Sequence, residues 1–79
     1  MKYFTENNDH LEATFSFSSY AKGVLFVNAV AFIAEKHKHH PEINIDYTKV
    51  KISVTTHDAG NTITKKDFAL AEAIENLYA

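Results

Sequence analysis

The chain has 79 residues, of which 46% are apolar and 23% charged, and its formal net charge at pH 7 is -2. This charge gives no electrostatic reason to bind nucleic acid, and a chain without cysteine has no disulfide. The length predicts a single domain over residues 1–79, which buries only about 60–65% of its unfolded surface. No signal peptide and no apolar run of membrane-spanning length are apparent, which predicts a soluble, cytoplasmic protein.

The first pattern along the chain is an alternation of apolar and polar residues. Its apolar members are Leu11, Ala13, Phe15 and Phe17. Period-two alternation with aromatic residues predicts a strand with one buried face. Residues 2–4 are predicted to pair with it as a short strand, with residues 6–9 as the turn.

A helix is predicted over residues 20–38, with Ser18 or Ser19 as its N-cap residue. Between residues 24 and 34 every residue except Asn28 is apolar. A helix that is apolar on all sides must be covered on more than one side, and the sheet of so short a chain can cover only one. We therefore predict that a second copy of the chain covers the rest, giving a homodimer or homotetramer through this helix.

The end of this helix is basic, since residues 36–40 read Lys-His-Lys-His-His and precede Pro41, which cannot continue a helix. Positive charge near a helix C-terminus is favourable by about 0.3–1 kcal/mol per exposed group. This structural explanation accounts for the cluster without any function. Each functional interpretation has to be weighed against it.

The second half of the chain contains two further extended segments. Residues 44–46 are predicted to form a brief one, and residues 50–54 alternate as a strand that His57 closes. Residues 58–62, which include Gly60, are predicted to form a loop.

The last helix begins with a capping-box pattern, in which Asp67 follows Thr64 by three residues. Its predicted apolar stripe consists of Leu70, Ala71, Ile74, Leu77 and Tyr78. The order of elements is strand, strand, helix, strand, strand, helix. It predicts an α+β fold of two layers, in which the helices pack on one face of an antiparallel four-stranded sheet.

Histidine is the residue type that stands out, because five occur in the chain and three of them fall within four residues. Its unperturbed pKa of about 6.5 allows it to exchange protons near neutral pH. Glu35 and His39 are four apart on the predicted helix and can interact there. His57 at a strand end and Asp67 near a helix start can meet them at one edge of the fold. Spacing alone leaves an acid–base site, a metal site and a basic helix end open.

The order and spacing of these residues resemble the pterin-4a-carbinolamine dehydratase family, which includes the dimerisation cofactor of a hepatic homeodomain factor. The resemblance extends over residues 11–77. The matching residues are Glu35, His39, His40, Pro41, Glu42, Tyr47, Val50, Thr56, His57, Gly60, Thr64, Asp67, Leu70 and Ala71. It implies dehydration of a 4a-hydroxytetrahydropterin to the quinonoid dihydropterin without cofactor or metal, as in tetrahydrobiopterin recycling, by a dimer or tetramer.

The implied reaction requires a proton delivered to the leaving hydroxyl and a proton removed from a ring nitrogen, and histidines can do both. The resemblance implies that His39 and His57 are this acid–base pair, and that Asp67 orients a histidine or pairs with its cation. Helix capping is the structural alternative for Asp67. Glu35 would assist through hydrogen bonds, and His40 would hold the pterin. The residues implied to line the pocket are Pro41, Thr56, Asp58 and Ala59.

The chain departs from the family pattern in several places. It begins after the point where the family has an additional N-terminal helix, so the fold is expected without that helix. Ile43 stands where an aromatic residue is common, and Tyr3 or Phe4 replaces a tryptophan of the first strand. The loop at residues 60–64 is longer than the common form. Ile43 and this loop lie near the implied pocket, where they can alter substrate preference.

Two functions of other classes are compatible with the same residues. A zinc-binding protein could draw ligands from Glu35 and from the histidines at positions 37, 39, 40 and 57, although adjacent histidines are difficult to direct at one ion. A non-catalytic dimerisation or interaction module would use the apolar helix instead. Of the remaining candidates, His37 is expected to be solvated, His10 to lie in a turn and Tyr47 to be a core aromatic.

Overall fold

The computed structural model describes residues 1–78. Within them, four strands form one antiparallel sheet in the spatial order β1-β2-β4-β3, and two helices pack against it. The elements are β1 Thr5–Asn7, β2 His10–Ser16, α1 Tyr20–His37, β3 Glu42–Asp46, β4 Lys49–Val54 and α2 Lys65–Tyr78. The α+β fold and the order β-β-α-β-β-α predicted from the sequence are confirmed.

The two central strands supply the sheet's part of the core. Their inward side chains are fully or almost fully buried, whereas the residues between them are polar and more exposed. The pairs that face the helices are Leu11 with Val54, Ala13 with Ile52, and Phe15 with Val50. Each large apolar side chain that is buried in this way stabilises the fold by about 1.5–3 kcal/mol.

The first strand differs from its prediction, because residues 2–4 precede it and are not extended pairing partners of β2. The turn consists of Asn8 and Asp9 alone, with φ angles of 50° and 65°. Two consecutive residues in the left-handed region match the two-residue turns that suit hairpins, and Asn and Asp tolerate that region best after glycine. This short turn pairs Asn7 with His10, so the strand is Thr5–Asn7.

Residues 2–4 are held by a side chain of α2 instead of by the sheet. The Glu75 carboxylate accepts hydrogen bonds from the backbone N–H groups of Lys2, Tyr3 and Phe4 at 3.1, 2.6 and 2.7 Å. The Phe4 side chain is buried and lies edge-on to Phe15. The carboxylate thus satisfies three backbone donors that have no partner in the sheet.

Helix α1 begins after Ser19, whose hydroxyl accepts a hydrogen bond from the Lys22 N–H at 3.2 Å. It ends at His37 because Lys38 adopts a left-handed conformation with φ 53°, one residue before the predicted end. Its buried residues form a single stripe, which consists of Gly23, Phe26, Val30 and Ala34. The described residues contain no helix that is both long and apolar enough to cross a membrane.

Strands β3 and β4 form a second hairpin whose turn is Tyr47 and Thr48. The sequence predicted the start of β3 two residues too late, and it placed Tyr47 in the core. Tyr47 is exposed and has a positive φ of 54°, so that second prediction is wrong. His57 does not close β4 either, because it begins a single 3-10 turn, His57–Ala59, after the strand has ended at Val54.

Helix α2 begins with the predicted capping box. The Thr64 hydroxyl accepts a hydrogen bond from the Lys66 N–H, and the Asp67 carboxylate accepts one from the Thr64 N–H. Leu70, Ala71 and Ile74 are fully buried, as predicted. Leu77 is exposed, so it was wrongly included in the apolar stripe.

Candidate active site

Asp67 is the most completely buried charged residue, with no exposed surface. The helix start brings it to the end of β4, and its two oxygens have different partners. Oδ2 accepts hydrogen bonds from the Thr64 N–H at 2.8 Å and from the Thr56 hydroxyl at 2.7 Å. Oδ1 lies 2.6 Å from Nε2 of His39. One carboxylate therefore caps α2 with one oxygen and contacts a histidine with the other.

The pKa of Asp67 is set by two opposing effects. Burial raises it, because a charged carboxylate is poorly solvated inside a protein. Hydrogen bonds from His39, Thr56 and the Thr64 backbone outweigh this and hold the pKa of Asp67 below its ordinary value. Asp67 is accordingly an anion at neutral pH, and Nε2 of His39 must carry the hydrogen that it donates to this anion.

His39 reaches Asp67 because the chain turns sharply at the end of α1. Lys38 is left-handed, and the His39 N–H donates to the Ala34 carbonyl at 3.2 Å. The imidazole is directed inwards and its side chain is only 11% exposed. His39 therefore lies beyond the helix, and the predicted helical neighbour relation between Glu35 and His39 is wrong.

Glu35 has a different and weaker partner. Its Oε2 lies 3.4 Å from Nε2 of His40, and the two side chains are 75% and 70% exposed. A polar contact that is this exposed contributes little to stability. Glu35 lies on the outer surface of α1 and does not line the cleft described below.

His57 is contributed by the 3-10 turn that follows β4. Its Nδ1 lies 2.8 Å from Oδ1 of Asn61, and both residues are exposed. The residue before His57 is Thr56, which is buried and donates a hydrogen bond to Asp67. His57 therefore directly follows a residue that is bonded to the buried carboxylate.

His39 and His57 line the same cleft, which has a volume of about 190 Å³. Its lining residues are Lys38, His39, His40, Thr56, His57, Asp58 and Lys66. A more open depression of about 410 Å³ adjoins it, shares Thr56, Asp58 and Lys66, and includes Ala59. Two imidazoles from separate segments can thus act on one bound molecule as acid and base.

The structure brings together only part of the set of site residues that the sequence predicted. Five members line the cleft, Asp67 lies behind His39, and Ala59 lies in the adjoining depression. Pro41 is half-buried and Glu35 is exposed, and neither lines the cleft. Reasoning from the sequence did not identify Lys38, Lys66 or Asn61. The Gly60-Asn61 pair marked a loop, but a loop pattern alone does not reveal a partner for His57.

A metal centre finds little support in this geometry. Among residues 1–78, no three His, Asp or Glu side chains lie close enough together to hold an ion. His39 uses Nε2 for Asp67, and His40 lies near Glu35. The zinc alternative would require these side chains to rearrange.

Comparison with known proteins places the chain in a family. The family described as Pterin 4 alpha carbinolamine dehydratase matches residues 2–77. The chain belongs to this family. This confirms the resemblance that the histidine spacing suggested. A pterin is accordingly the class of substrate that fits this dehydratase family.

Two relatives of this dehydratase family illustrate the similarity. A protein of Chloroflexus aggregans is 49% identical over 72 residues, covering 91% of this chain and 76% of its own length. A protein of Natronomonas pharaonis is 45% identical over 71 residues, covering 90% and 76%. Both are provisionally named as pterin-4-alpha-carbinolamine dehydratases.

Two solved structures share the fold of this chain. A transcriptional coactivator/pterin dehydratase from Brucella melitensis superposes with a TM-score of 0.88 at 24% identity, covering 96% of this chain and 82% of its own. A pterin dehydratase-like protein, described as a RuBisCO assembly factor in the alpha-carboxysome, gives a TM-score of 0.77 at 26% identity, covering 96% and 87%. At this level of identity the first comparison concerns the fold alone.

Proposed function

We propose that this protein catalyses the dehydration of 4a-hydroxytetrahydropterin to quinonoid dihydropterin and water, with His39 and His57 as general acid and base. The observation that carries the proposal is that these imidazoles come from separate segments and line one cleft. Membership of the dehydratase family supports the same reaction.

The chemistry requires two proton transfers and no redox step. A proton goes to the 4a-hydroxyl, whose bond to carbon breaks and releases water, while a ring nitrogen gives up its proton and forms the new double bond. Each transfer by a positioned side chain contributes typically about 10²–10⁴-fold. His39, with Nε2 bonded to Asp67, offers Nδ1 to the substrate.

The other residues bind and orient in this proposal. Asp67 fixes the ring of His39 through the 2.6 Å contact. His40, Thr56 and Asp58 hold the pterin ring in the cleft, which they line. Pro41 and Ala59 shape its surroundings, and Glu35 acts only through His40.

The direct test is an assay with chemically generated 4a-hydroxytetrahydropterin. We expect wild type to accelerate dehydration above the buffer rate, and His39→Ala and His57→Ala each to lower kcat/KM by about 10²-fold or more. His37→Ala is the matched control, because His37 is an exposed histidine at the same helix end and does not line the cleft. Wild type at the buffer rate, or equal rates for all four proteins, would refute the proposal.

We also propose that the protein is a homodimer or homotetramer assembled through α1. Leu25 and Phe32 are 67% and 77% exposed, on the opposite side from the buried stripe. Large apolar side chains exposed together on one helix favour association. Light scattering is expected to give a mass of at least twice the chain mass of 8.9 kDa.

The double variant Leu25→Glu/Phe32→Glu is expected to reduce that mass to a monomer. Phe68→Glu serves as its control, because Phe68 is an exposed aromatic residue on α2. A wild-type monomer in dilute solution contradicts assembly through α1, and so does a double variant that remains associated.

A second candidate function is a non-catalytic interaction module of the same fold. The same exposed apolar surface of α1 favours it, and the structural neighbour described as an assembly factor supports it by analogy. It predicts an intact oligomer with no turnover of the pterin substrate. The assay above therefore separates the two candidates.

A further inference from the structure

The side chain of His57 has a single hydrogen-bond partner among residues 1–78, and that partner is the side-chain amide of Asn61. Nδ1 of His57 lies 2.8 Å from Oδ1 of Asn61. An amide oxygen only accepts, so Nδ1 must carry the hydrogen, and a neutral imidazole carries just one. Nε2 is then left with its lone pair, and it has no partner within the described chain.

Asn61 is held in place by its own backbone. The Asn61 N–H donates to the Thr56 carbonyl at 3.1 Å, and Thr56 and Thr62 form a bridge that closes the loop. Gly60 and Asn61 are both left-handed, with φ angles of 80° and 58°. Asn is among the few residue types other than glycine that adopt this region readily. The side chain therefore starts from a backbone position that the loop defines.

The two histidines of the cleft are consequently bonded through different nitrogens. His39 gives Nε2–H to Asp67 and His57 gives Nδ1–H to Asn61, so Nδ1 of His39 and Nε2 of His57 remain for a bound molecule. Unbound histidine in water prefers its hydrogen on Nε2. The amide of Asn61 thus reverses the ordinary preference at His57.

We propose that Asn61 is a positioning residue that selects the Nδ1–H tautomer and the ring orientation of His57, which makes Nε2 the atom that exchanges a proton with substrate. The catalytic part of this inference rests on the proposed function. The tautomer itself does not, and it can be measured without substrate.

The chain offers two matched variants at position 61. Asn61→Gly keeps the left-handed backbone and removes the acceptor, whereas Asn61→Asp keeps an acceptor oxygen at the same distance along the side chain. Both changes are at an exposed loop residue, and circular dichroism checks that each variant is folded.

The experiment is a two-bond ¹H–¹⁵N correlation spectrum of ¹⁵N-histidine-labelled protein at a pH where histidine is neutral, with His57→Gln used to assign the signals. We expect the Nδ1–H pattern for His57 in wild type and in Asn61→Asp, and a shift towards the Nε2–H pattern in Asn61→Gly. The His39 pattern is expected to be the same in all of them. A wild-type His57 with its hydrogen on Nε2, or an unchanged pattern in Asn61→Gly, would overturn the proposal.

Turnover provides the second readout. Removing one hydrogen bond to a catalytic group is expected to lower kcat by about 5- to 10-fold in Asn61→Gly with KM nearly unchanged, and Asn61→Asp is expected to restore most of it. If the tautomer changes as expected but no protein shows turnover, the tautomer assignment stands and the dehydratase proposal fails. Full activity of Asn61→Gly alongside an active wild type contradicts the positioning role.

Discussion

The two histidines of the cleft are supported in different ways. His39 is almost buried and bonds to a carboxylate that the core of the fold holds with two further donors. His57 is exposed and bonds to an amide within its own short loop. The first histidine is positioned by tertiary structure and the second by local structure. Changes around His39 should therefore alter stability together with activity, whereas changes around His57 should alter activity alone.

Asp67 shows why the structural and functional explanations of one residue need not compete. Helix capping was the structural alternative to a role beside a histidine. The geometry accommodates both, because Oδ2 receives the Thr64 N–H and Oδ1 contacts His39. The same carboxylate links the start of α2, the end of β4 and the segment after α1.

Asp67→Asn is expected to have the largest effect on stability. The asparagine amide has nearly the same shape as the carboxylate, but one of the two oxygens is replaced by an N–H₂ group. Both oxygens now accept hydrogen bonds, so the N–H₂ group would face a donor and leave buried polar groups without a partner. Such a loss is worth about 1–3 kcal/mol for neutral groups and more for charged ones, so we expect about 2–4 kcal/mol less free energy of unfolding. Urea denaturation measures it.

His57→Ala is the comparison for this stability measurement. An exposed residue away from the core is expected to change the free energy of unfolding by no more than about 0.5 kcal/mol. Equal losses of unfolding free energy for Asp67→Asn and His57→Ala would contradict the difference between the surroundings of His39 and those of His57.

Acid should destabilise the protein through two carboxylates. Burial raises the pKa of Glu75, and backbone N–H groups of Phe4, Tyr3 and Lys2 outweigh it, so its pKa lies below the ordinary value, as does that of Asp67. Groups with lowered pKa values stabilise the fold fully above their ordinary values of about 4, and this contribution is lost as the pH falls through the folded-state values.

The free energy of unfolding should therefore decrease from about pH 5 downwards. Urea denaturation at a series of pH values measures this decrease. Asp67→Asn and Glu75→Gln should each make the dependence on pH shallower. Glu72 is exposed on the same helix, so Glu72→Gln should leave the dependence of stability on pH as it is in wild type. A stability that rises on acidification would contradict the hydrogen-bonding pattern around both carboxylates.

Two adjacent threonines allow a finer test of the buried part of the site, which consists of Asp67 and its partners His39 and Thr56. Thr56 and Thr55 are both buried, but the Thr56 hydroxyl donates to Asp67 and the Thr55 hydroxyl to the Asp9 carbonyl at 2.8 Å. Valine preserves the shape and removes one hydroxyl, so each change should cost about 1–2 kcal/mol of stability. Only Thr56→Val is expected to lower kcat/KM as well. An equal loss of activity in both variants would mean that stability alone limits turnover.

The elements of the fold could be predicted where a pattern was local. Alternation identified β2 and β4, and the capping box located the start of α2. The first strand was misplaced because the short turn at Asn8 and Asp9 sets its register. Residues 2–4 bond instead to the Glu75 carboxylate, 71 or more residues away, which no local pattern reveals. Spacing likewise could not show that the chain turns at Lys38 and separates His39 from Glu35, since this left-handed residue is neither Gly nor Asn. Family resemblance pointed to the histidines, but not to Asn61, whose side chain contacts His57.

Glu35→Gln is expected to have the smallest effect. Its pair with His40 is 3.4 Å long and exposed at both ends, and such pairs contribute about 0–1 kcal/mol. Because Glu35 does not line the cleft, kcat/KM should stay within about twofold of wild type, the equivalent of less than about 0.5 kcal/mol. Lys36→Gln changes the charge at the same helix end without touching His40, and it controls for that charge. A tenfold loss of kcat/KM confined to Glu35→Gln would contradict this prediction. It would show that the Glu35 carboxylate moves towards the substrate during turnover.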